Sequence, residues 1–350
     1  MKKSLTAIAI AAIVGAPMFA QADEGPTVFG SVHVSMDKAG KDALILSMSS
    51  SRGTAVGVRG NVDTNLMGMK TIYQAAIGFD TQNNLDTAGA GVFYMRDTWV
   101  GLSSKEYGTA RGGLMDIHYK DVSKNVDPFL TTALEGRLQG SGFRGNAKSS
   151  GLRTIGGMGG SNDDGGRQGH TARYDSPSLS GVKVSANYGF AGDGKNNFGI
   201  GAEYSEGGIL AFVDHVSIGM MGALEDATMT KIGGKYTMGD MSFAAQYEMD
   251  GDALSGVKDG DMDMMFAAGT YTMGATTFAL TVGMAAESKS DAKNGNTSFA
   301  VGAKHALAKK TTIYGGLGMV MNDEKANVGN NANKAGDDST IVTVGLMTAF

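Results

Sequence analysis

The chain has 350 residues, 54 glycines, only four prolines, no cysteine and a formal net charge of −5. The acidic balance gives no support to nucleic-acid binding, and the lack of cysteine excludes a disulfide framework. Glycine-rich, proline-poor sequence of this length fits many strands joined by tight turns better than a disordered chain.

Lys2 and Lys3, an apolar run at 5–15 and the triplet Ala20-Gln21-Ala22 have the order of a secretory signal peptide, with cleavage expected after Ala22. The run is too short to cross a bilayer as a helix, and no apolar stretch of 18 residues follows it. If 23–350 crosses a membrane, it must do so as a closed barrel, in which neighbouring strands satisfy all backbone polar groups.

Period two dominates the chain. Phe278, Leu280, Val282 and Met284 alternate with Thr277, Ala279, Thr281 and Gly283, and Met241, Phe243, Ala245 and Tyr247 alternate with Ser242, Ala244, Gln246 and Glu248. Sixteen strands are predicted, near 28–36, 51–62, 67–79, 94–103, 108–116, 169–177, 181–190, 196–205, 208–218, 226–237, 240–250, 261–272, 275–287, 296–306, 310–321 and 339–350. Alternation alone does not say where the apolar face points, because a soluble sandwich alternates too. Loop lengths decide between them. Short turns at 63–66, 104–107, 178–180, 206–207, 238–239, 273–274 and 307–309 alternate with polar loops at 37–50, 80–93, 117–168, 191–195, 219–225, 251–260, 288–295 and 322–338. Short turns on one rim and long loops on the other describe an outer-membrane barrel. The expected fold class is therefore all-β, a transmembrane antiparallel barrel of 16 strands.

Tyr188, Tyr204, Tyr236, Tyr247 and Tyr271 lie near strand ends on the apolar side, as in an interfacial girdle. Ordinary strand propensity is the plainer reading of the same tyrosines. The chain closes on Val342, Val344, Leu346, Thr348 and Phe350, all of one parity. A terminal aromatic on such a strand resembles the signal for outer-membrane insertion, although Thr348 stands where an aromatic is common.

Val28-Phe29-Gly30-Ser31-Val32 resembles the first strand of Gram-negative general porins, and Val56-Gly57-Val58-Arg59-Gly60 their second. Arg96-Asp97-Thr98-Trp99-Val100-Gly101-Leu102 and Tyr107-Gly108-Thr109-Ala110-Arg111-Gly112-Gly113 are similar to strands four and five. Arg173-Tyr174-Asp175-Ser176-Pro177 resembles strand six, and Ala303-Lys304-His305-Ala306-Leu307 the approach to the penultimate turn. The matches occur in family order along nearly the whole chain. The resemblance implies a passive water-filled channel in the Gram-negative outer membrane, homotrimeric assembly, a third loop folded into the lumen, and no cofactor or catalysis. The implied partners are ions, small hydrophilic solutes, membrane lipid and lipopolysaccharide.

Selectivity in such a channel comes from width and charge at its narrowest point. The stretch 117–168 is the candidate constriction loop, since so long a loop in a compact barrel needs a functional reason. Its Asp127-Pro128-Phe129 resembles the family's loop-tip motif, and it also carries Glu135. Arg96 and Arg173 match the family's wall arginines on strands four and six. Strand parity groups Arg96 with Thr98 and Val100 opposite Trp99, and Arg173 with Thr171 and Asp175 opposite Tyr174. Arg52 matches a third wall arginine only if a bulge or strand end turns it inward, while Arg59 and Arg111 have inward parity. Seven basic residues against five acidic ones in the loop lean toward weak anion preference.

Two rival readings are an outer-membrane hydrolase and an exported β-rich adhesin. None of His33, His118, His170, His215 and His305 sits in a zinc spacing, and there is no Gly-x-Ser-x-Gly elbow. Asp259, Asp261 and Asp263 alternate as in a calcium loop but lack its central glycine and distal glutamate.

Overall fold

Successive residues of a strand point to opposite faces, and in the computed structural model those faces are sorted inside out relative to a soluble protein. Leu280 and Phe243 are 52% and 57% exposed, whereas Thr281, Gln246 and Lys231 are 4%, 4% and 0% exposed. Val58, Val184, Ile200, Val213, Ile232, Val301, Leu317 and Val344 continue the outward apolar surface. Such a surface is stable against lipid hydrocarbon and costly in water. Tyr188 stands toward one end of this band and Tyr236 and Tyr271 toward the other, all exposed.

The structure describes residues 25–40, 44–47, 54–64, 66–79, 93–136, 166–190, 196–218, 227–251, 261–289, 292–326 and 334–350. Its strands are β1 (Thr27–Ala39), β2 (Ile45–Ser47), β3 (Ala55–Asp63), β4 (Lys70–Phe79), β5 (Phe93–Met95), β6 (Thr98–Ser104), β7 (Gly108–Asp116), β8 (Arg167–Asp175) and β9 (Val182–Gly189). They continue as β10 (Asn197–Glu206), β11 (Ile209–Ile218), β12 (Ala227–Met238), β13 (Met241–Gly251), β14 (Met262–Met273), β15 (Thr276–Ala285), β16 (Asn296–Ala308), β17 (Thr311–Asn322) and β18 (Ser339–Ala349). One short helix, α1 (His118–Ser123), follows β7.

Every pairing is antiparallel between neighbours, and β1 pairs with β18 to close the ring. β2 and β3 both pair with β1, and β5 and β6 both pair with β4, so these are halves of single wall strands. The barrel therefore has 16 strands. The first and last strands meet at the short-turn rim, where the Phe350 N–H donates to the Gly30 carbonyl at 3.0 Å. Short turns carry the φ values they need: Gly239 (φ 59°) and Gly274 (φ 62°) open two-residue hairpins, the glycine-first pattern of type II′ turns.

Most strand positions match the sequence reading, with three corrections. β1 runs on to Ala39 and β2 lies inside the expected loop 37–50, because Ile45 to Ser47 find β1 as a partner. β8 starts at Arg167, so the loop expected to end at 168 ends earlier. Between β5 and β6 the register slips: Ile77 faces Met95 but Gln74 faces Trp99, so three steps on one strand oppose four on the other. This bulge reverses the parity that follows it. Trp99 therefore points inward and Val100, 57% exposed, outward, the opposite of the expected grouping of Arg96 with Val100. Arg173 lies with Thr171 and Asp175 on the buried inner face, and Tyr174 is exposed. Residues 1–22, the expected leader, and Arg52 lie outside the described residues.

Candidate functional site

The inner wall is not uniform, because residues 117–136 lie against half of it. The Ile117 N–H donates to the Gly166 carbonyl at 2.9 Å, so this excursion leaves and rejoins the wall at one point. Val122 and Val126 pack with Phe212, Ala244, Phe266 and Ala268 on β11, β13 and β14. Further along, Phe129, Ala133 and Leu134 pack with Ala279, Ala300, Val320 and Ile341 on β15 to β18. The wall makes room with small residues. A Cβ at Gly316 would come within 2.7 Å of Leu134 Cδ1, and one at Gly302 within 3.1 Å of Phe129 Cε1. This strap thus follows the wall from β9 to β18.

Polar groups pin the same segment. His118 Nδ1 is 2.8 Å from Asp214 Oδ2, and Tyr119 donates its hydroxyl to Glu248 Oε1 at 3.0 Å. Lys231 donates to Ser123 Oγ, lies 3.5 Å from Glu248, and stands 3.6 Å from the centre of the Tyr119 ring. A buried ammonium is stable only with such a shell of partners. Asp127 uses both carboxylate oxygens on its own segment, accepting from the Phe129 N–H at 2.7 Å and the Gly136 N–H at 2.8 Å. Glu135 accepts from the Thr131 N–H at 2.5 Å.

Where the strap leaves β7, an ion network joins it to the wall. Asp116 receives Lys120 at 3.0 Å, Lys124 at 2.5 Å and Arg167 at 3.0 Å. Arg173 bridges Asp121 on the strap (2.5 Å) and Asp175 on its own strand (2.9 Å), and donates to the Asp116 carbonyl at 2.7 Å. Asp175 also receives Arg111 at 2.5 Å and Ser185 Oγ at 2.6 Å, and Arg167 pairs with Asp97 at 2.5 Å. Burial would raise the Asp121 carboxyl, but Lys124 and Arg173 overcome it and hold the group well below the usual carboxylate range. Burial would likewise lower the Lys124 ammonium, and Asp116 and Asp121 hold it above its ordinary value instead.

The opposite wall, β1 to β7, carries arginines of a different kind. Arg59 stands 4.9 Å from the centre of the Phe29 ring, Arg96 5.9 Å from Tyr94, and Arg111 5.1 Å from Trp99. All six of these side chains are half-buried.

Of the residues singled out from sequence, Arg111 and Arg173 meet in one network, Arg59 and Arg96 stand on the wall beyond it, and Asp127 and Glu135 shape the strap's far end. The reading missed Asp97 and Asp116 as partners, along with the inward ring of Trp99. Only the register and the path of the loop bring these together. Asp261 pairs with Lys289, and Asp263 accepts from the Tyr247 hydroxyl at 2.6 Å. These two carboxylates therefore serve separate partners. Among the described residues no group of three or more metal-ligating side chains occurs.

With this geometry in place, comparison with known proteins is direct. The family model for Gram-negative porins matches residues 7–325. The chain belongs to that family: it is an outer-membrane channel protein, and not an enzyme. Outer membrane porin protein 32 of Delftia acidovorans is 26% identical, with both chains covered in full. Among solved structures, an anion-selective porin from Comamonas acidovorans matches with a TM-score of 0.76 at 21% identity, over 93% of this chain and 99% of that one. The trimer form of OmpT from Vibrio cholerae matches with a TM-score of 0.69 at 14% identity, over 93% and 99%.

Proposed function

We propose that ions and small hydrophilic solutes cross this channel between the strap and the wall of β1 to β7, with a weak preference for anions. The observation that carries the reading is the unequal use of charge. In the ion network at the root of the strap each carboxylate has a cation within 3.0 Å, so the network offers passing ions little net field. On the facing wall Arg59 and Arg96 are half-exposed and stacked on rings, which places positive charge at the lumen surface there, while Arg111 shares its charge with Asp175. In this proposal Arg173, Asp127 and Glu135 hold the narrow point in shape, and the wall arginines set its sign. A structural relative described as anion-selective agrees with that sign. Homotrimeric assembly belongs to the same proposal, supported by the trimer form of a relative with this fold.

Planar-bilayer recording in a KCl gradient tests both parts. The expected result is a reversal potential displaced toward chloride, with insertion steps grouped in threes. Clear cation preference would reject the charge assignment, and single independent steps would reject the trimer.

A further inference from the structure

We infer that the wall of β1 to β7 is a transient binding surface for planar, ring-bearing carboxylates. This rests on the proposal that solutes pass between strap and wall. The register sets a lateral row across five strands. Arg59 of β3 pairs with Gln74 of β4, and Gln74 pairs with Trp99 of β6. Phe29 of β1 lies under Arg59 at one end, and Arg111 of β7 lies over Trp99 at the other. Ring and guanidinium therefore alternate along one inward surface, with Tyr94 and Arg96 beside it nearer the long-loop rim.

The chemistry of the row has two halves. A guanidinium edge offers paired N–H donors matched to a carboxylate, and a neighbouring aromatic ring offers a face or edge on which a flat apolar body can stack. A solute carrying both groups, such as a benzoate, engages both at once, whereas acetate or a neutral ring engages one. Two polar atoms beside Trp99 have no hydrogen-bond partner, Gln74 Oε1 and Arg111 Nε. The carboxylates bordering the row, Asp97 and Asp175, are paired with Arg167 and with Arg111 and Arg173 at 2.5–2.9 Å, so repulsion of an anion there is damped.

The test is single-channel recording in KCl with added benzoate, cyclohexanecarboxylate, acetate or benzyl alcohol at equal concentration. Benzoate is expected to interrupt the current at concentrations about two- to tenfold lower than cyclohexanecarboxylate, the range of aromatic pair energies, with acetate and benzyl alcohol weaker still. The Trp99→Leu variant should bring benzoate and cyclohexanecarboxylate together, and Trp99→Phe should restore the gap. Trp99 is the one tryptophan of the chain, so its emission in detergent-solubilised native protein should also change saturably with benzoate. Equal effects of the two ring acids on the native channel, or a benzoate preference that survives Trp99→Leu, would overturn the inference while leaving the channel reading intact. Protein that passes no current in KCl would instead overturn the channel reading, and this one with it.

Discussion

The two halves of the inner wall use the same alphabet of charge to opposite ends. From β9 to β18 inward side chains are buried against the strap: Asp214 holds His118, Glu248 holds Tyr119 and Lys231, and alanines and glycines receive Phe129 and Leu134. From β1 to β7 the inward side chains Phe29, Arg59, Tyr94, Arg96, Trp99 and Arg111 stack guanidinium on ring and stay half-exposed, with Arg111 also tied to Asp175. A charge on the first half is structural, because removing one partner leaves its counter-ion desolvated. Under the proposed function, a charge on the second half acts on a passing solute. Position on the inner face alone does not assign a role; what covers the residue does.

The largest expected effect comes from breaking the ion network that joins the halves. Arg173→Ala leaves Asp121 and Asp175 short of a shared partner and should cost about 3–5 kcal/mol, read as a drop in unfolding temperature or denaturant midpoint. Next is the apolar anchor. Phe129→Ala removes a fully buried ring from the strap's far contact, with about 3–5 kcal/mol lost locally and a larger, noisier single-channel conductance. Arg59→Ala, on the open wall, should leave stability nearly unchanged and shift the reversal potential toward cation passage. If Arg173→Ala and Arg59→Ala behaved alike, the division between halves would fail.

On the outer face, Leu280→Arg at mid-strand should cost about 2–4 kcal/mol of barrel stability in bilayers, whereas Leu280→Phe should cost little. The smallest expected effect is that of pH on the Asp121–Lys124 pair. A depressed carboxyl contributes stability above its unfolded value and loses it as pH falls through the lower folded value, while a raised ammonium contributes below its unfolded value and loses it as pH rises past the folded one. Between about pH 4 and pH 10 this pair should therefore leave conductance and stability flat, and Asp121→Asn should lose stability at neutral pH but not in strong acid.

Strand positions, rim assignment and family were legible in the sequence because period two and alternating loop lengths are local patterns. The inward placement of Arg173 was equally legible, since β8 is regular from Arg167 to Asp175 and parity carries along it. Arg96 and Trp99 were legible only up to the bulge between β5 and β6, where one extra residue reverses the faces and no residue type announces it. Asp127 is a different case. Its motif was visible, but that both oxygens cap its own turn depends on how the loop closes. The partners Asp97 and Asp116 could not be read at all, because sequence separations of 70 and 51 residues from Arg167 are spanned only by the assembled sheet.

The most direct measurement of the division between the two walls uses the natural absence of cysteine. Single cysteines at Arg59, on the open wall, and at Ala300, beneath the strap, are exposed to a charged water-soluble thiol reagent during bilayer recording. Rapid modification at 59 with a step in conductance, and none at 300, is the expected result. Fast modification at both positions, or at 300 alone, would contradict it.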